Sequence, residues 1–100
     1  MKRFILSSAA ELDLDDIWDH SVENWGERQA EHYIRLIQDT IIGLTKGTQP
    51  SQSASHVRAG YRRVLVGSHI LFFKENDELV DVIRILHQRM DVAHHLKGDR

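Results

Sequence analysis

The chain contains no cysteine. Structural disulfides, thiolate metal sites and cysteine nucleophiles are therefore excluded, and nothing argues for an oxidising compartment. The apolar run behind Lys2-Arg3 is only Phe4-Ile5-Leu6, too short for a signal-peptide core or a membrane span. A cytoplasmic location without membrane contact is expected. Gly-rich phosphate loops are missing, as is the Gly-x-Ser-x-Gly elbow a serine hydrolase needs. Repeats, heptads and low-complexity tracts are absent too. Proline occurs once, within Gln49-Pro50-Ser51-Gln52-Ser53, a polar cluster that marks a loop rather than a domain linker. Neither sign of charge dominates, with a net charge of −2. The whole molecule is thus not a polyanion binder, and no direct sequence-specific nucleic-acid binding is expected.

What is present describes one domain over residues 1–100 with a single modest core. Arg3-Phe4-Ile5-Leu6 predicts a short strand. Ser8-Ala9-Ala10-Glu11 fits a capping box, with Ser7 as the alternative cap. Asp13, Asp15 and Asp16 follow where they favour the helix dipole. Ala10, Leu14, Ile17, Ser21 and Trp25 recur at helical spacing, so a first helix is expected from about residue 8 to 24, broken by Gly26. Ala30, Tyr33, Ile34, Ile37, Ile41 and Leu44 form a cleaner stripe for a second helix ending near Lys46-Gly47. The short Trp25-Gly26 connection makes the pair an antiparallel hairpin. Strands are then expected over 61–66, 69–74 and 79–86, with turns at Gly67-Ser68 and Asn76-Asp77. The fold class is α+β in the order β-α-α-β-β-β: an N-terminal strand, a helical hairpin and a three-stranded antiparallel meander. Residues 91–100 are expected to form a short helix or tail.

Charge is unevenly spread. Residues 1–50 carry five Lys and Arg against nine Asp and Glu, whereas residues 51–100 carry eight against six and five of the seven histidines. An acidic partner would therefore meet the second half. There, Val82-Ile83-Arg84-Ile85-Leu86 is a buried-strand pattern that ends in His87-Gln88-Arg89. Arg62, His69, Arg84, His87 and Arg89 are the candidate target-binding residues. Arg84 has a second, preferred reading: a half-buried arginine paired with Asp81 or an acidic helix residue. His87 divides evenly between a contact residue and a structural histidine bonded to a neighbouring carbonyl. Trp18 and Trp25 fit packing of the helical hairpin. Phe72 and Phe73 alternate across a strand, so one belongs to the core and the other to the opposite sheet face. With Tyr61 they are the candidate contacts for a protein partner. His87, His94, His95 and Asp91 raise the idea of zinc, but without thiolates or a His pair on an established helix no metal or cofactor is expected.

Four segments together resemble ParE toxins of the RelE/ParE toxin–antitoxin superfamily. They are Leu6-Ser7-x-x-Ala10-x-x-Asp13-Leu14-x-x-Ile17-Trp18, Trp25-Gly26-x-x-Gln29-Ala30-x-x-Tyr33, Arg58-x-Gly60-Tyr61-Arg62 running into Val66 to Phe73, and Leu86-His87-Gln88-Arg89-Met90-Asp91. The resemblance implies a type II toxin that inhibits DNA gyrase by binding, without chemistry of its own, and is neutralised by a cognate ParD-like antitoxin. The superfamily's other branch cuts mRNA on the ribosome, which needs a base, an acid and cations around the phosphate. Arg62, His69, Arg89 and His95 are the residues available for that alternative. A third expectation is a degenerate toxin that only binds its antitoxin.

Overall fold

The computed structural model describes residues 1–90, so the tail expected over 91–100, with Asp91, His94 and His95, lies outside the described residues. Seven elements follow in order: β1 (Arg3–Leu6), α1 (Ser8–Trp25), α2 (Glu27–Lys46), β2 (Gln52–Ser53), β3 (Arg62–Val66), β4 (His69–Glu75) and β5 (Leu79–His87). They build one five-stranded sheet in the order β1-β5-β4-β3-β2. The expected meander forms its centre, with β3–β4 and β4–β5 antiparallel. β1 joins the outer side of β5 in parallel. The two-residue β2 pairs with β3 inside what had been expected to be loop.

Ser7, not Ser8, is the N-cap of α1. Its hydroxyl accepts from the Ala10 amide at 2.9 Å and donates to the Ile83 carbonyl at 2.6 Å. The third helical residue is then Ala10, so the capping box with Glu11 does not form. Gly26, at φ 87°, ends α1 and opens α2, a conformation that suits glycine. The α2 stripe is buried as its spacing predicts, through Ala30, Ile37, Ile41 and Leu44. On α1 the buried residues are Ala10, Asp13, Ile17 and Ser21. Asp13 is thus 9 % exposed and not a solvated dipole partner, and Trp25, expected in the hairpin packing, is 65 % exposed.

Both faces of the sheet are covered. The helix-side core joins Ala10, Ile17, Ile37, Ile41 and Leu44 to Val64, Val66, Leu71, Phe73, Val80, Val82 and Ile85. The other face carries a smaller cluster of Ala54, Tyr61, Phe72 and Leu86, with Val57, Ile70 and Ile83 packed against it. Phe73 and Phe72 divide between the two clusters as strand alternation requires. The segment from Ala54 to Tyr61 of this chain closes over the second face.

One irregularity governs the face on which each β5 side chain falls. Phe73 pairs with Val82 and Phe72 with Arg84, leaving Ile83 as an extra residue on β5. This is a β-bulge, and it shifts the strand's alternation by one. In an unbroken strand Val82 and Leu86 would share a face. Here Val82 and Ile85 face the helices while Ile83 and Leu86 face the other cluster.

Candidate functional site

The bulge is held by the start of α1. Ser7 takes the Ile83 carbonyl, and the Ser7 amide donates to the Val82 carbonyl at 2.9 Å. The Asp13 carboxylate accepts from the Ile85 amide at 2.9 Å through Oδ2. It also takes two Arg84 nitrogens, Nε on Oδ2 and Nη2 on Oδ1, each at 2.8 Å. A bulge leaves ladder groups without strand partners, and buried ones must be satisfied elsewhere. Ser7 and Asp13 do that here, and Arg84 balances the charge this buries.

Because the alternation shifts, His87 comes to the helix side directly opposite His69, its register partner on β4. The two rings meet edge to face, 5.3 Å between centroids. The His87 Nδ1 accepts the Arg89 backbone amide at 3.1 Å, so the ring bonds an amide rather than the carbonyl expected from sequence. The His69 Nδ1 lies 2.6 Å from the Tyr33 hydroxyl. That hydroxyl also accepts the Ser68 amide at 2.9 Å and lies 3.2 Å from the Val66 carbonyl. The phenol's single proton goes to the Val66 carbonyl or to the His69 Nδ1 according to the His69 tautomer. Burial, then repulsion from His87, lowers the His69 pKa to about 4, and burial raises that of Tyr33. The Gly67 backbone makes the approach possible: at φ +58°, a Cβ there would stand 2.6 Å from the Tyr33 ring and hydroxyl.

Around these rings opens a cleft of about 570 Å3 between α1 and the end of the sheet. Ile17, Trp25, Ile85 and Met90 give it apolar walls; Asp13, Asp16, His20, Ser21, Tyr33, His69 and His87 give it polar ones. The described residues contain no cluster of His, Asp or Glu able to hold a metal ion.

The five candidate target-binding residues do not form one surface. His69, His87 and the exposed Arg89 gather at one end of the sheet. Arg62 lies four residues from the β3 position paired with His69, about 13 Å along the strand. Its guanidinium is committed to the Ser51 hydroxyl and carbonyl at 2.9 and 3.0 Å. Arg84 is taken up by Asp13, an acidic helix residue, and not by Asp81. Of the candidate antitoxin contacts, Tyr61, Phe72 and Phe73 are all buried within this chain. They shape the sheet but offer no surface to a partner in this conformation. Sequence reasoning missed Ser21, Trp25 and Tyr33 as lining residues because each was read as part of a packing stripe. The available signal was polarity on that stripe, at Asp13 and Ser21.

A family model described as the ParE toxin of the type II toxin–antitoxin system, parDE, matches residues 4–92. Toxin ParE1 of Mycobacterium tuberculosis is 41 % identical over 95 residues, covering 94 % of this chain and 97 % of that protein. Toxin ParE1 of Caulobacter vibrioides is 43 % identical over 96 residues, covering 96 % and 99 % respectively. Among solved structures, a chain of the chromosomal ParDE TA system from P. aeruginosa superimposes with a TM-score of 0.72 at 23 % identity, over 87 % of this chain and 95 % of that one. At that identity the likeness speaks to the fold.

Proposed function

The chain belongs to the ParE toxin family of type II toxin–antitoxin systems, and from that premise we propose that it inhibits DNA gyrase by binding and is neutralised by a ParD-like antitoxin. Acting on gyrase, the protein would work in the cytoplasm. Among the described residues no helix is long and apolar enough to cross a membrane. The observation that carries the reading is the match to curated ParE toxins along nearly the whole chain. Its contact surface is the end of the sheet where Arg89 is exposed after β5.

The geometry weighs against the ribonuclease alternative. Phosphodiester cleavage needs its cations and its base around one phosphate. Arg62 lies at the opposite end of its strand from His69, and the His69 Nδ1 is engaged by Tyr33. The test is supercoiling of relaxed plasmid by gyrase, with the purified chain alone and with excess ParD-like antitoxin. Inhibition that the antitoxin relieves supports the reading. Full supercoiling in the presence of folded protein would end it, and codon-positioned mRNA cleavage on ribosomes would replace it with the enzyme alternative.

A further inference from the structure

The cleft beside β5 has unmet hydrogen-bonding capacity. Ser21 is 4 % exposed and lines it, yet its hydroxyl has no hydrogen-bond partner among the described residues. No fully buried side-chain polar atom there goes unpaired, so this oxygen opens into the cleft. The Nδ1 of His87 is occupied as an acceptor by the Arg89 amide, which places the proton of the neutral ring on Nε2. The His69 Nε2 donates or accepts according to the ring's tautomer, since its Nδ1 either takes the Tyr33 phenol proton or donates to that hydroxyl. Neither Nε2 has a partner among the described residues. Three groups able to donate therefore line one space, with Ile17, Trp25, Ile85 and Met90 as its apolar walls.

The charges select the ligand further. No lysine or arginine is among the described lining residues. Asp13 is already paired with Arg84, and the exposed Asp16 would repel an anion. The one carboxylate left to a cation is the exposed Asp16, whereas the buried Ser21 hydroxyl and the His87 Nε2 present donors. We propose that this cleft binds a small uncharged ligand with a planar apolar body and a carbonyl-type oxygen, the oxygen taken by Ser21, His69 and His87 and the body lying against Trp25, Ile17 and Ile85. The site stands apart from the gyrase reading, although the Nδ1 of His87 ties it to Arg89.

Benzamide is the direct probe, titrated into the full chain while the ring signals of His69 and His87 and the Trp25 indole are followed by NMR. Saturable shifts in the millimolar range are expected, with benzoate at least about tenfold weaker because no cation receives it. Ser21→Ala should weaken benzamide about three- to tenfold, and His87→Phe should do likewise while keeping the ring's bulk. Ser21→Ala removes a single hydroxyl from a helix, so it remains informative even if His87→Phe disturbs the fold. Absence of shifts up to the solubility of benzamide would overturn the proposal. So would benzoate binding as tightly, or affinity unchanged by both substitutions.

Discussion

Asp13 and Arg84, 71 residues apart, meet through two 2.8 Å hydrogen bonds, and the same carboxylate also receives the Ile85 amide. This joins the first turns of α1 to the bulged strand. The contact decides which face of the sheet His87 occupies, because the bulge is stable only if its polar groups find partners outside the ladder.

Removing either partner should cost stability unequally. Asp13→Ala leaves the half-buried Arg84 and the Ile85 amide without their acceptor and is expected to destabilise by about 3–5 kcal/mol. Arg84→Met keeps the bond to the Ile85 amide and replaces the charged stem with an apolar one, so a smaller loss is expected. Urea unfolding of both single variants and the double variant measures this. The double variant should lose less than the two single losses added together; simple additivity would show that the pair is not coupled.

Gly67→Ala should displace Tyr33. Positive φ and the 2.6 Å approach to the phenol ring combine at this position, for an expected cost of about 1–3 kcal/mol. The His69 ring signals should move with it as the hydrogen bond to Tyr33 is lost. Unchanged His69 signals in a folded variant would contradict the tight Gly67–Tyr33 contact.

Stability should fall as the medium is acidified through a defined window. The folded pKa of His69 is lowered to about 4, against an ordinary value of 6.5, so between these values the unfolded chain binds the proton and the folded chain does not. The histidine is therefore neutral with respect to stability above about pH 6.5, and its cost grows as pH falls to about 4. The groups facing it are Tyr33 from α2, Asp13 and His20 from α1, and His87 from β5. With the ring partly in contact with water, the loss is discounted to about 1–2 kcal/mol. Urea midpoints at pH 7, 5.5 and 4.5 should show it, and His69→Asn should flatten the slope over this range.

Arg89→Ala tests the target surface. The side chain is exposed, and the bond from its backbone amide to His87 survives the substitution. Melting temperature should stay unchanged to within about 0.5 kcal/mol equivalent, while gyrase inhibition is lost. Full inhibition by the variant would move the contact surface away from the end of β5.

The sequence by itself determined the elements and their order, apart from the two-residue β2. Helical spacing on α2, the cap region at Ser7-Ser8, the glycine between the helices and the β-branched run from Val80 to Ile85 are local signals, and local hydrogen bonding obeys them. The choice between Ser7 and Ser8 as cap was already beyond local reach, because Ser7 also serves Ile83 across the fold. Only the tertiary structure decided that β1 runs parallel to β5, that residues 54–61 close the second sheet face over Tyr61 and Phe72, and that Arg84 is held by Asp13. It also decided the cleft. Periodicity assigns alternate β5 residues to alternate faces, and the single extra residue at Ile83 exchanges those faces from that point onward. Its partners lie some seventy residues away on α1, so no window of neighbouring residues contains the information that sets His87 beside His69.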